Sequence, residues 1–180
     1  MKASKLVQIC CGTAYGTTGK ALNVNVKPRL DEVLSIVHES ETKTLVFVPF
    51  VSAIAMVLEF LRKAGISAEA IYGDVSKAER DRIFGLFQHT EDVQVIVAQP
   101  GAMAHGLTLV RASTIVWYAP TTRPDHYEQA NGRITRPGQK HNTLIVHIEG
   151  SPIEKKMYDR LKSKASMQGI LLNMIREGRE

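Results

Sequence analysis

No run of apolar residues in this 180-residue chain approaches the ~20 that a membrane span requires. The stretch from Met1 to Cys11 also lacks the long apolar core of a secretion signal. A cytoplasmic protein without a membrane partner is the expectation. Cysteine is scarce: Cys10 and Cys11 are the only two, and adjacent residues make a poor structural disulfide. No Cys/His quartet exists, and His38, His89 and His147 do not cluster at ligand spacing, so no metal site is expected. Acid is missing from the first 30 residues, which carry five Lys/Arg. Residues 31–120 balance at −4 and residues 121–180 at +4. Basic ends around an acidic middle suit a polyanionic partner, although ordinary solvated surface gives the same pattern.

Catalytic signatures are also missing. Gly19-Lys20 has the look of a phosphate loop, but Ala14 stands where its first glycine belongs and Ala21 where its Ser/Thr belongs. No strand is expected before it. There is no G-x-S-x-G elbow, no G-x-G-x-x-G fingerprint and no acidic cluster placed to hold Mg²⁺. An unrelated small-molecule α/β enzyme is disfavoured on these grounds.

With 44% apolar and 23% charged residues, the chain has the composition of a globular domain able to bury a core without staples. Residues 1–27 read as an irregular arm. From Pro28 onward, helices and apolar strands alternate: a helix carrying Leu30, Val33, Leu34 and Val37, then strands near 45–48, 68–72, 93–97, 114–118 and 143–148. Helices are expected over 51–64, 77–88, 125–133 and 154–175, with Ser76 as an N-cap and Gly65 as a stop. The last helix places Met157, Leu161, Leu171 and Met174 on one side as core, and Trp117 and Tyr118 read as core too. Strands apolar on both faces and separated by helices predict a doubly wound α/β domain over 28–180. Its sheet is expected to be mostly parallel, of about five to six strands. Ligands in such folds bind outside the carboxyl ends of the strands, so function is sought in the loops after Val48, Tyr72, Ala98 and Tyr118.

The richest string is Gln129-Ala130-Asn131-Gly132-Arg133-Ile134-Thr135-Arg136-Pro137-Gly138-Gln139. The spacing of Arg133 and Arg136 predicts two guanidiniums on one helical face, either a phosphate-binding pair or ordinary surface arginines. Read as Q-x-x-G-R-x-x-R-x-G-Q, with Tyr127-Glu128 ahead of it, the string resembles motif VI of superfamily-two helicases, in the Swi/Snf branch. Gln99 to Leu109 resembles motif V, Leu45 to Phe50 resembles motif IV, and Ile71-Tyr72-Gly73-Asp74 leads into a polar helix in the family's manner.

That resemblance implies a RecA-like C-terminal motor lobe. ATP would be shared with a first lobe that holds the phosphate loop and Mg²⁺. Arg136 would be the finger reaching the γ-phosphate, with Arg133 assisting. Gln129, Gly106, Thr108 and Gly132 would lie on the nucleotide side. Pro49, Phe50, Gln99, Gly101 and His105 would face the backbone of DNA, double-stranded in this branch and read without regard to sequence. The implied partners are thus the N-terminal RecA-like lobe and DNA, and the isolated chain is expected not to turn ATP over. The arm 1–27 would be the end of the connection from the first lobe. Thr108 replaces the branch's usual Asn, and Asn131-Gly132 stand where eukaryotic remodellers carry acids, which points to a bacterial or phage-like member. The competing reading is a nucleic-acid-binding module that keeps the fold and has lost motor function.

Overall fold

The computed structural model describes residues 2–15, 21–103 and 108–177. The chain opens with helix α1 (Lys2–Cys10), then an antiparallel hairpin of β1 (Thr13–Tyr15) and β2 (Ala21–Asn23). The irregular arm is thereby corrected. Val7 and Cys11, one turn apart, are 1% and 0% exposed and belong to the domain's own core. That single i,i+4 pair is too small a periodic signal to stand out beside the glycine- and threonine-rich stretch behind it. Gly12 ends α1 at φ +89°, where a Cβ would come within 2.8 Å of Val26 Cγ1, so the tight return needs glycine. A strand does precede Gly19-Lys20, contrary to expectation, yet β2 comes after it rather than a helix. A phosphate loop's strand–loop–helix setting is therefore absent, and residues 16–20 themselves lie outside the described residues.

Beyond the hairpin the alternation runs as expected. Helix α2 (Lys27–Glu39) starts with Pro in its first turn, and β3 (Lys43–Phe47) is buried along its whole length. Helix α3 (Val51–Lys63) stops at Gly65 with φ +83°, and β4 (Ala68–Ile71) comes next. Helix α4 (Lys77–His89) is capped by Ser76, whose Oγ accepts from Glu79 N at 3.2 Å. Strand β5 (Val95–Ala98) leads into a short 3₁₀ turn at Pro100–Met103, then β6 (Ala112–Trp117). Helix α5 (Pro124–Asn131), β7 (Leu144–His147) and helix α6 (Pro152–Glu177) complete the chain. On α6, Leu161 is buried and Met157 half-buried, while the side chains of Leu171 and Met174 lie outside the described ones.

Five strands form one parallel sheet in the order β4-β5-β3-β6-β7. Alternate residues of each strand feed two cores. Val46, Val48, Val97, Val116 and Tyr118 meet α2 and α3 on one face. Leu45, Phe47, Ile96, Ile115 and Trp117 meet α4, α5 and α6 on the other. Chain reversal at β3 makes a switch point: β3 leads through α3 toward the β4 edge, while its neighbour β6 leads through α5 to β7. A crevice must open between their carboxyl ends.

The same end carries a buried ion pair. Arg29, in the first turn of α2, donates from Nη2 to both Glu154 carboxylate oxygens at 2.8 Å, and from Nη1 to Tyr118 O. Glu154 is 0% exposed, and its Oε2 also accepts from Gly150 N at 3.0 Å and Ser151 Oγ at 2.9 Å. Burial pulls the Arg29 guanidinium down, yet the bonds to Glu154 carry it above its ordinary value. A Cβ on Gly150 would fall 2.6 Å from Arg29 Nη2, so a larger residue there requires the guanidinium to shift. Beside it, burial pushes the Cys11 thiol up to about 12.

Candidate nucleotide and nucleic-acid interfaces

Two groups of candidate residues come together, at opposite ends of the sheet. At the carboxyl end, Pro49, Phe50, Gln99 and Gly101 all line one crevice of about 210 Å³. Gln99 is placed by its backbone N–H, which donates to Ile71 O at 2.8 Å. Gly101 opens the 3₁₀ turn against α5: a Cβ there would lie 2.7 Å from His126 Cε1. These four residues thus lie at the end of the sheet to which the doubly wound pattern points.

The far wall of that crevice is made by Pro120 to Arg123, in the loop after Tyr118 to which the sequence pointed without naming these residues, and by His126. Thr121 Oγ1 accepts from Arg123 N at 3.1 Å and turns the chain into α5. The Arg123 guanidinium is exposed and forks onto Asp125, at 3.0 and 2.8 Å. Its bonds hold the Asp125 carboxyl down at about 2. The available signal was Thr-Thr-Arg-Pro-Asp-His after an apolar strand, a basic loop at a sheet's carboxyl end. The N-cap residue of α3, Phe50, and the first turn of α5, at His126, line this crevice, and neither N-cap residue makes a side-chain cap hydrogen bond. Backbone N–H groups at such ends favour anions.

The second group lies at the amino end. Helix α5 carries the chain back across the sheet, so Gly132, Arg133 and Arg136 arrive beside the start of β6. Leu109 N donates to Arg133 O at 3.0 Å, and Gln139 Nε2 donates to Ala112 O at 2.8 Å and Ile134 O at 3.2 Å. The expectation of function in the carboxyl-end loops therefore does not extend to the arginines. The single helical face for them is corrected too. Helix α5 ends at Asn131, two residues before Arg133: Gly132 N still donates to Glu128 O at 3.0 Å, but Arg133 N turns to Ala130 O at 3.2 Å and the chain leaves the ladder.

Past that end the two side chains part. Arg133 is 3% exposed, and burial, then the Arg136 charge, push its guanidinium below its ordinary value. Arg136 is exposed: its Nε donates to Gly132 O at 2.9 Å and its Nη1 to Thr108 Oγ1 at 3.4 Å. Among the described residues no carboxylate lies within ion-pair distance of Arg136. Gly132 and Thr108 are thus joined to Arg136 directly. Gln129 sits exposed on α5, its carbonyl oxygen 3.6 Å from where a Cβ on Gly132 would stand. Gly106 and His105 lie outside the described residues. No helix among the described residues is long and apolar enough to cross a membrane, and no three His, Cys, Asp or Glu among them are grouped to hold a metal ion.

Comparison with known proteins agrees with this layout. The model of the helicase conserved C-terminal domain matches residues 27–138. The chain is 29% identical over 140 residues to the DNA excision repair protein ERCC-6-like of Homo sapiens, a match covering 77% of this chain and 11% of that protein. It is 28% identical over 144 residues to the human DNA annealing helicase and endonuclease ZRANB3, covering 79% of the chain and 13% of the relative. It therefore spans only 11–13% of the length of these two proteins. Among solved structures, the Sulfolobus solfataricus SWI2/SNF2 ATPase core in complex with dsDNA superposes with a TM-score of 0.68 at 26% identity, covering 91% of this chain and 35% of that one. The C-terminal part of the Fun30 ATPase domain shares the fold, with a TM-score of 0.69 at 19% identity over 87% of this chain and 53% of that one. A five-stranded RecA-like sheet, a family match over residues 27–138 and relatives and a solved structure of the Snf2 type place this chain in the helicase conserved C-terminal domain family, on its Snf2 branch.

Proposed function

We propose that this chain is the second motor lobe of an ATP-dependent DNA translocase or helicase, with a different task at each end of its sheet. At the amino end, Arg136 acts as the finger on the γ-phosphate of an ATP held chiefly by a first RecA-like lobe. One observation carries this: an exposed guanidinium without a carboxylate partner among the described residues, held from both sides by Gly132 O and Thr108 Oγ1. A forked, permanent cation so placed stabilises charge that grows on phosphoryl oxygens. Arg133, being buried, supports the turn through its backbone bond to Leu109 and adds positive potential behind Arg136. Gly106 and Gln129 belong to the nucleotide side in this reading. Mg²⁺ and the phosphate loop are the first lobe's part.

At the carboxyl end, Pro49, Phe50, Gln99 and Gly101, and now Arg123 and His126, form the track for a DNA backbone; His105 is assigned to the same task on its place in the sequence alone. Uncapped helix starts and a basic rim suit phosphates and carry no base readout, as stepping along any sequence requires. Duplex DNA is the substrate favoured here, as in the SWI2/SNF2 core that shares the fold. The test is DNA-stimulated ATP turnover by the chain alone, by the protein carrying both lobes, and by its Arg136→Ala form. Turnover by the two-lobed wild type alone supports the motor reading. A silent two-lobed wild type that still binds DNA supports the binding-module reading instead.

A further inference from the structure

Trp117 lies in the middle of the aromatic core on the α5 face. Its ring centroid is 4.9 Å from Phe47 and 4.9 Å from Tyr127, and it is 0% exposed. Tyr158 Oη donates to Trp117 O at 3.1 Å, fixing the strand end from the other side. An indole N–H at such a depth requires an acceptor. Trp117 Nε1 donates to Asn131 Oδ1 at 2.9 Å. Asn131 is the last residue of α5, one helical turn after Tyr127.

Directly after Asn131 comes the turn that presents the finger. Thr135 Oγ1 donates to Asn131 O at 3.3 Å, and Arg136 Nε donates to the next carbonyl, Gly132 O, at 2.9 Å. From the rigid sheet to the Arg136 guanidinium there are therefore two hydrogen bonds and one peptide link. Glycine at 132 makes this turn soft, since it restricts the backbone less than any other residue. Without the amide anchor the end of α5 can fray, and Gly132 O, the rest for Arg136 Nε, moves with it.

We infer that Asn131, held by Trp117, is a positioning residue for Arg136: it sets where the finger emerges without touching nucleotide. This inference rests on the motor reading above. It predicts an effect on the chemical step rather than on binding, because a misplaced finger loses stabilisation that exists only in the transition state. Displacements of about an ångström cost up to roughly 100-fold in rate.

The test uses the two-lobed protein with saturating DNA, and compares Asn131→Ala, Trp117→Phe, the double variant and Arg136→Ala. Turnover is expressed per folded molecule, with melting temperature measured in parallel. Asn131→Ala and Trp117→Phe are expected to lower kcat by roughly 10-fold each, leaving KM for ATP within about twofold. The double variant should lose no more than either single one, because the two side chains share one bond. A merely structural role would lower the melting temperature and leave kcat per folded molecule intact, which overturns the inference. Wild-type kcat in Asn131→Ala beside an inactive Arg136→Ala overturns it alone. Wild-type turnover in Arg136→Ala overturns the motor reading and this inference together.

Discussion

The two ends of the sheet are built differently, and the difference maps onto what each is proposed to do. The carboxyl end is a crevice between helices, walled by Pro49, Gly101 and Pro120 and braced by the buried Arg29–Glu154 pair. Its polar groups are backbone N–H groups and short loops, suited to a ligand that slides. At the amino end, Arg136 is exposed and is not among the residues lining the hollow of about 630 Å³ that Arg111, Gly138 and Lys140 share there. One exposed guanidinium is held there by Gly132 and Thr108, and the turn is pinned to β6 by Leu109 and Gln139. A group that must meet a phosphate carried by another lobe has to be exposed and oriented at once, and hydrogen bonds from a sheet edge provide both. In the proposed reading, one fold separates a track from a trigger by the length of its strands.

The sharpest way to break this comparison is at Arg136. In the two-lobed protein, Arg136→Ala is expected to cut DNA-stimulated turnover by about 10³-fold while DNA affinity stays within a factor of about 2. Arg136→Lys should recover little, because an ammonium lacks the fork that holds Gly132 O and reaches phosphate together. Parallel ATPase and DNA-binding titrations decide it.

Next in size is the brace of the carboxyl end. Arg29→Met strands the Glu154 carboxylate in the core, and a loss of about 3–5 kcal/mol in chemical denaturation is expected. Replacing both, Arg29→Met with Glu154→Leu, should return part of it. A smaller effect falls on the crevice wall: Arg123→Ala should weaken DNA binding evenly across sequences and flatten the slope of log affinity against log salt by about one. A sequence-selective loss would speak against a backbone track.

The smallest effect is a pH dependence. Burial, with a minor part from Lys162, pushes His147 down to about 4 from 6.5. Its Nε2 shares a 2.8 Å hydrogen bond with Tyr127 Oη. Above pH 6.5 the imidazole is neutral folded or unfolded. Between pH 6.5 and about 4 the unfolded chain takes up a proton that the folded one refuses, so stability falls as pH falls. Melting temperatures measured from pH 7 to 4 should drop across that window, and the drop should be shallower in His147→Phe.

Most of the architecture was legible because it rests on strong periodic signals: five apolar strands, a Ser76 cap, a Gly65 stop. Trp117 and Tyr118 were readable as core from their place in an apolar run. The candidate site was legible only where a string is specific, from Gln129 to Gln139, and where a general rule applies, at the crevice of Pro49, Phe50, Gln99 and Gly101. Helix α1 escaped because one buried i,i+4 pair carries its whole signal. The opposite fates of Arg133 and Arg136 escaped because they depend on where α5 ends, and Gly132 together with tertiary bonds to Leu109 and Ala112 decides that. The Trp117–Asn131 bond escaped for the same reason: a buried indole's need for an acceptor is evident in sequence, but the identity of that acceptor is set only by packing.

The central claim is that the two ends act separately, and one titration tests it most directly. ATP turnover is measured against duplex DNA concentration for the two-lobed wild type, Arg136→Ala and Arg123→Ala together with His126→Ala. The account predicts that the amino-end variant loses the plateau without shifting DNA affinity, while the carboxyl-end variant shifts the half-saturating DNA concentration upward and regains the plateau. An Arg136→Ala protein that reaches the wild-type plateau would contradict it.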